Sequence, residues 1–378
     1  MNKKIMIIAG EASGDLHGAA LIKKLKELDS SIEFFGIGGD KMIDAGLHAL
    51  FHIKKMAFLG FTEIIRHLPF ISYVQKKLID YVLSENIMTI VLIDYPGFNL
   101  RIAKKLKKLG RKIIYYISPQ VWAWGKKRIN KIKKLIDKMI VVFAFEEKLY
   151  KEKSIDTSYV GHPLIEHIKN YNYLSKDELF EKFSLDKEKE ILLLLPGSRK
   201  HEIKKIFPEL IKAADQLATN FNLQIVVACA DNINENIFKD LSDIKNYKII
   251  KGYTYDLFKH SYFGIIKSGT STLEAGYFKL PFVVVYSTNA LTYWLGKIFV
   301  KIDSIAMVNI LLGEKVIDEL IQKEMNSKNL YLTCYNILSN ELKYKEIKEK
   351  LSRVKLLLGE DGASEKAARI IYSVLNEA

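Results

Sequence analysis

The stretch Tyr262–Tyr286, YFGIIKSGTSTLEAGYFKLPFVVVY, constrains the fold more than any other part of the chain. An apolar, β-rich run ends near Ile266 and meets a loop of small hydroxyl residues. A helix is expected from about Thr272, and a second apolar run, Phe282–Tyr286, follows Pro281. Strand, tight loop, helix, strand is the repeating unit of an α/β domain. Gly269 lets a ligand come close to the backbone, and Ser268, Thr270, Ser271 and Thr272 add donors. The free N–H groups and positive end of a helix suit an anion such as a diphosphate. Glu274 falls in the first turn, within reach of a sugar or ribose hydroxyl. The same spacing also describes an ordinary capped helix, with Ser/Thr at the cap and Glu in the first turn.

The unit recurs along the chain. KIMIIA (Lys4–Ala9) reads as a buried strand running into Gly10-Glu11-Ala12-Ser13-Gly14-Asp15, with a helix from about Leu16 to Leu28. The loop lacks the G-x-G-x-x-G spacing of a dinucleotide site. Its glycines permit close ligand approach, and a plain tight turn is the competing reading. Ile32–Ile37 is the next strand, ending in Gly36, Gly38 and Gly39. Ile87–Ile93 is a strand that ends in Asp94-Tyr95-Pro96-Gly97-Phe98. A carboxylate at the carboxyl end of a buried strand is where open α/β sheets place ligands and chemistry; it equally serves to cap a turn. Lys112–Ile117 empties into a loop, Ser118–Gly125, that carries Trp122 and Trp124. Residues 166–190 are charged and polar and read as a linker with a helix. A second set of units then begins with Ile191–Leu195 and the turn Pro196-Gly197-Ser198-Arg199. Arg199 at a Gly-Ser turn can fork two phosphate oxygens; a surface Arg on a turn is the alternative.

With 378 residues the chain has room for about two domains. It opens MNKKIMIIAG and enters a strand at once, so no leader is expected. No run reaches the ~18 apolar residues of a spanning helix. Two cysteines, Cys229 and Cys334, give neither a disulfide framework nor metal spacing. The net charge is +14 and is concentrated: Arg101–Lys134 holds thirteen Lys/Arg and no Asp/Glu. Such a face fits nucleic acid, a membrane surface or a phosphorylated substrate. Only seven of the 58 basic residues are Arg, however, and a lysine skew of that kind also arises from compositional drift. Met56–Phe61 (MAFLGF), between Lys54–Lys55 and Arg66, reads either as a broken core helix or as an apolar patch rimmed by bases, suited to a membrane interface. Asp-x-Asp, Walker and nucleophile-elbow motifs are absent from the sequence.

Five segments, in this order, resemble the lipid-A-disaccharide synthase family: GEASGDLHGA (Gly10–Ala19), YISPQVWAWGKKRI (Tyr116–Ile129), YVGHPL (Tyr159–Leu164), LLPGSRKHEI (Leu194–Ile203) and SGTSTLEAG (Ser268–Gly276). SPQVWAW and GEASGD are specific to that family; LPGSR and S-G-T-x-x-L-E are shared more widely. The resemblance spans nearly the whole chain. It implies a GT-B type α/β fold, two Rossmann-like domains facing each other across a cleft. Residues 1–168 would be the acceptor- and membrane-facing domain, with the helix 352–378 packing back on it, and 169–351 the UDP-sugar-binding domain.

The implied reaction is inverting transfer of 2,3-diacylglucosamine from its UDP donor to the 6-hydroxyl of 2,3-diacylglucosamine 1-phosphate. The products are the β(1→6) disaccharide 1-phosphate and UDP. The resemblance assigns Asp94 as general base; Glu11, which also lies at a strand end beside a Gly-rich loop, is the reserve candidate. It places Arg199, Ser268, Gly269, Thr270, Ser271, Thr272, Glu274 and Asn309 at the donor diphosphate and nucleotide, although Val308 stands where the family has Pro. Gly10, Ser13, Gly14, Asp15 and Trp122 fall on the acceptor side, and Phe58, Leu59 and Phe61 in the membrane patch. It implies no cofactor, no metal and no nucleic acid partner, a cytoplasmic enzyme held peripherally on the inner leaflet of the inner membrane, and room for a homodimer. The rivals are another GT-B UDP-sugar enzyme, of the peptidoglycan lipid-intermediate or epimerase type, and a basic nucleic-acid-binding protein using Arg101–Lys134 and the tryptophans.

Overall fold

The computed structural model describes residues 3–56, 68–122, 127–288 and 304–377. They fall into two compact units, residues 3–166 with 358–377 and residues 167–288 with 304–357. Phe58, Leu59, Phe61, Arg66 and Trp124 lie outside the described residues.

In the first unit the strands are β1 (Lys4–Ala9), β2 (Glu33–Gly38), β3 (Leu47–His52), β4 (Thr89–Ile93), β5 (Lys112–Tyr116), β6 (Lys138–Val141) and β7 (Thr157–Tyr159). They form one sheet in the order β3-β2-β1-β4-β5-β6-β7, and every pair is parallel. Parallel strands with helices on both faces read as unbroken apolar runs, and Ile5, Met6, Ile7 and Ile8 are all fully buried. The strand order reverses between β1 and β4, where Ala9 lies opposite Ile93. That reversal is where an open α/β sheet leaves room for a ligand at its carboxyl edge.

Helix α1 (Ala12–Leu28) begins at Ala12, four residues before the position the sequence suggests. Ser13, Gly14 and Asp15 therefore form its first turn, with the Asp15 N–H donating to the Glu11 carbonyl at 2.9 Å. α1 packs against the C-terminal helix Ala363–Asn376, which belongs to the same unit. The short helix α2 (Asp40–Asp44) follows β2, α3 (Pro96–Lys108) follows β4, α4 (Lys127–Leu135) precedes β6 and α5 (Ala144–Lys151) follows it. Most of the described basic stretch falls on α3 and α4, with Arg111 and Lys112 at the start of β5: Arg101, Lys104, Arg128 and Lys131 are exposed while Ile102, Leu106, Ile129 and Ile132 are buried. It is the solvent side of two amphipathic helices.

The second unit repeats the plan. Its strands are β8 (Glu190–Leu195), β9 (Leu223–Cys229), β10 (Lys248–Lys251), β11 (Phe263–Lys267), β12 (Phe282–Tyr286) and β13 (Glu319–Ile321). They are all parallel in the order β10-β9-β8-β11-β12-β13. Here the reversal lies between β8 and β11, with Leu195 opposite Ile266. Helix α6 (Lys200–Asn220) follows β8, α7 (Ser271–Tyr277) joins β11 to β12, and α8 (Met307–Leu312) precedes β13. Both cysteines are buried free thiols. Among the described residues no helix is long and apolar enough to cross a membrane.

Candidate active site

The reversal in the first unit brings Asp94 and Glu11 to neighbouring strand ends. Asp94 and Tyr95 both take left-handed backbone angles, φ 43° and 48°, and Ile117 at the end of β5 does the same at 61°. Non-glycine residues rarely hold these angles, and each costs about 1–3 kcal/mol and persists only where its surroundings impose it. The surroundings do. The Asp94 N–H donates to the Tyr116 carbonyl at 3.1 Å and the Ile117 N–H to the Ile140 carbonyl at 3.0 Å. The Tyr115 hydroxyl donates to the Asp94 carbonyl at 2.5 Å, and Asn99 Nδ2 donates to the same carbonyl at 2.7 Å. Gly10 is required by packing: a Cβ there would lie 2.2 Å from the Tyr95 ring. Burial, then the Glu11 charge, pushes the Asp94 carboxyl up to about 6, against the pull of the Tyr95 backbone N–H. Asp94, Pro96, Pro119, Gln120, Val121 and Arg128 line a hollow of about 350 Å³.

One wall of that hollow is the loop after β5, which is tied down from behind. Ser118 Oγ donates to Glu146 Oε1 at 2.7 Å and Trp122 Nε1 to the same oxygen at 3.1 Å. The Tyr150 hydroxyl donates to the Pro119 carbonyl at 3.2 Å. Both anchors stand on α5. Glu146 is 1% exposed, and burial raises its carboxyl to about 7 despite the Ser118 and Trp122 bonds.

In the second unit Arg199 sits at the N-cap of α6, directly after the Gly197-Ser198 turn. Its Nη1 donates to Glu202 Oε1 at 3.4 Å, and Lys267 at the end of β11 reaches that same oxygen at 2.9 Å. The neighbouring loop starts at Ser268, whose hydroxyl donates to the Ile305 carbonyl at 3.0 Å. Thr270 caps α7 without a side-chain cap bond, and the Thr272 hydroxyl turns back on the Gly269 carbonyl at 2.8 Å. Among the described residues nothing lies within 4 Å of where a Gly269 Cβ would stand, its own chain neighbours aside. Glu274 accepts from the Tyr255 hydroxyl at 3.3 Å, and burial raises its carboxyl. A hollow of about 540 Å³, lined by the 231–236 loop and Lys251, adjoins the Arg199 turn through Asn232, whose Nδ2 donates to the Ser198 carbonyl at 3.1 Å.

A family model for lipid-A-disaccharide synthetase matches residues 5–373. The chain belongs to the lipid-A-disaccharide synthase family. A lipid-A-disaccharide synthase of Syntrophus aciditrophicus is 37% identical over 383 residues, covering 100% of both chains. One of Geobacter sulfurreducens is 36% identical over 377 residues, covering 99% of this chain and 98% of its own. Solved structures share the fold at far lower identity. The Staphylococcus aureus MnaA–UDP co-structure matches with TM-score 0.68 at 16% identity, covering 100% of this chain and 98% of that one. UDP-GlcNAc 2-epimerase from Neisseria meningitidis, bound to UDP-GlcNAc, matches at 0.66 and 13%, covering 99% and 100%. CalG4, the calicheamicin glycosyltransferase, matches at 0.62 and 12%, covering 100% and 99%. The fold is of the GT-B type.

Within this synthase family fold, three residues singled out from the sequence hold positions that change their reading. Asp15 is buried, and its carboxylate accepts the N–H groups of Gly39 at 2.6 Å, Met42 at 3.1 Å and Lys41 at 3.2 Å. It fastens α2 to α1 instead of facing a ligand. Asn309 is 2% exposed. Its Nδ2 donates to the Ile317 carbonyl and Glu319 Oε1, both at 2.8 Å, and its Oδ1 accepts from Val316 and Ile317 N–H. That exhausts an amide side chain, so direct contact with a nucleotide gives way to a supporting place. Glu319 in turn accepts the Ile305 N–H at 2.8 Å, and Ile305 carries the carbonyl that holds Ser268. The Trp122 indole N–H is occupied by Glu146, and its ring meets Phe145 edge-on. Asn99, in the first turns of α3, donates to the Asp94 backbone carbonyl and not to its carboxylate. Sequence reasoning passed over Glu146, Glu202 and Lys267. Their significance lies in partners remote in sequence, and only the adjacency of Lys267 to the Ser-Gly-Thr loop could have flagged it.

Proposed function

We propose that this protein is a UDP-sugar-dependent, inverting glycosyltransferase that makes the lipid A disaccharide. It takes 2,3-diacylglucosamine from its UDP donor to the 6-hydroxyl of 2,3-diacylglucosamine 1-phosphate. Membership of the lipid-A-disaccharide synthase family supports the substrates, and the Asp94 corner carries the chemistry. A hydroxyl is a poor nucleophile near neutral pH, and a base works best when its own pKa lies near the working pH. The Asp94 carboxyl, held up at about 6 by burial and Glu11, meets that requirement. Asp94 takes the hydroxyl proton as the acceptor oxygen bonds to the anomeric carbon. The bond from that carbon to the donor phosphate breaks with its electron pair, and UDP leaves. Arg199 neutralises the charge that develops on the leaving phosphate, with Ser268, Gly269, Thr270, Ser271 and Thr272 around the diphosphate and Glu274 toward a sugar or ribose hydroxyl. Glu11 supports the role of Asp94 through its charge.

Residues 1–168 with the C-terminal helix would hold the acceptor, on the side of Gly10, Ser13, Gly14 and Trp122, and 169–351 the donor. Both substrates are lipids, so the enzyme works at the inner leaflet of the inner membrane. The bases of α3 and α4 support attraction to anionic headgroups, and Phe58, Leu59 and Phe61 supply the apolar anchor. The test is UDP release from the diacyl donor with and without the lipid acceptor. Acceptor-dependent release is expected. Release indifferent to acceptor, or epimerisation of UDP-GlcNAc in its place, would overturn the reading.

A further inference from the structure

The second unit holds another cation beside Arg199. Lys267 ends β11, one residue before Ser268, on the strand that pairs with β8. Its ammonium stands 2.9 Å from Glu202 Oε1 and 5.7 Å from the centroid of the Tyr286 ring. Its side chain is only 18% exposed, and that of Glu202 only 8%. Glu202 Oε1 also receives Arg199 Nη1, while its Oε2 is buried with no hydrogen-bond partner among the described residues. The carboxylate lies beneath the turn after β8: a Cβ on Gly197, whose φ is +120°, would fall 2.7 Å from Oε2. Two cations thus meet on one buried carboxylate between the Gly197-Ser198 turn and the Ser268 loop, where partial burial weakens solvent screening.

We propose that Lys267 is a second ligand of the donor diphosphate, and that Glu202 is the positioning residue that holds Lys267 and Arg199 side by side. This rests on the reading of the corner as the UDP site. An ammonium has three donors and a guanidinium five. Glu202 takes one from Lys267, whose ammonium can keep that contact while donating to a phosphate oxygen. Lys267 adds a point charge beside the Arg199 guanidinium. Two cations match a diphosphate, which carries more than one negative charge, better than Arg199 alone.

The experiment titrates UDP and uridine into the full chain, by calorimetry and ligand-observed NMR. Lys267→Met is expected to weaken UDP about 10- to 100-fold, the range of a charge-assisted contact, and to leave uridine unchanged. Lys267→Arg should restore most of the loss. Lys267→Met leaves the buried Glu202 carboxylate with Arg199 alone and is the variant most exposed to misfolding. The double variant Glu202→Gln/Lys267→Met removes the buried pair as a unit and should show the same selective loss. UDP affinity within about twofold of wild type in these variants overturns the proposal. An equal loss for uridine does so too, because it assigns Lys267 to the fold. If wild type itself fails to bind UDP, the reading of the corner falls and this inference falls with it.

Discussion

At the strand reversal of the first unit stand carboxylates: Asp94 and Glu11, with Glu146 behind the adjoining wall. At the reversal of the second stand Arg199, Lys267 and a run of hydroxyls, with Glu202 set between the cations. The two sheets share the order that places a reversal beside the first strand of each, so topology does not distinguish them. Charge compensation does. Burial, with the Glu11 charge beside it, drives Asp94 toward the protonated form. Glu202 is instead buried against two cations. The backbones differ in the same sense. The first corner holds Asp94, Tyr95 and Ile117 in left-handed angles, whereas the second gives that conformation to Gly197.

Exchanging the chemistry at either corner breaks the comparison in different ways. Asp94→Asn keeps the shape and loses the base, so turnover should fall about 10²–10⁴-fold while UDP affinity stays at its wild-type value. Glu11→Gln should cost less and move the acid limb of the rate profile to lower pH, because it removes a charge that raises the Asp94 carboxyl. If Glu11→Gln abolishes turnover and Asp94→Asn does not, the two roles are exchanged. Arg199→Ala should lower turnover about 10²–10³-fold, the effect of losing one preorganised donor. Arg199→Lys should recover part of this, since lysine cannot fork. Changing Phe58, Leu59 and Phe61 to Ser should weaken liposome association severalfold, read by flotation. Unchanged flotation, or an unfolded variant, would remove these residues from the membrane account.

The smallest expected effect is on stability. Burial raises the folded Glu146 carboxyl from the usual carboxylate range to about 7. Between those values the folded state keeps a proton that the unfolded state gives up, so folding weakens as pH rises through that window. Glu146→Gln titrates nothing there and keeps an oxygen for Ser118 and Trp122. Its Tm relative to wild type should therefore be higher at pH 8 than at pH 5. The opposite order would show that the folded state favours the ionised carboxylate.

Much of this was legible in the residues. Apolar runs broken by Gly, Ser and Asp mark the central strands, and the strand before Asp94 places that carboxylate at a carboxyl end. The start of α1 was not legible, because Ser13-Gly14-Asp15 has the composition of a loop. Tertiary contacts override it: a Cβ on Gly14 would sit 3.2 Å from the Ala9 Cβ, and the Asp15 carboxylate gathers the N–H groups of α2. β3 carries no clear apolar signature, because as an edge strand it is mostly half-buried or exposed. Glu146 finds Ser118 across 28 positions, and Lys267 finds Glu202 across two strands. Periodicity reports a residue's own element and says nothing of such partners.

The central claim is that the half-buried carboxylate of Asp94, with its pKa raised to about 6, does the proton chemistry. The pH profile of acceptor-dependent UDP release tests it most directly. A base must be ionised, so kcat/KM should fall as pH drops through about 6 with the slope of a single proton, and that limb should vanish from the residual activity of Asp94→Asn. A flat wild-type profile between pH 5 and 7, or a limb that persists in Asp94→Asn, would contradict it.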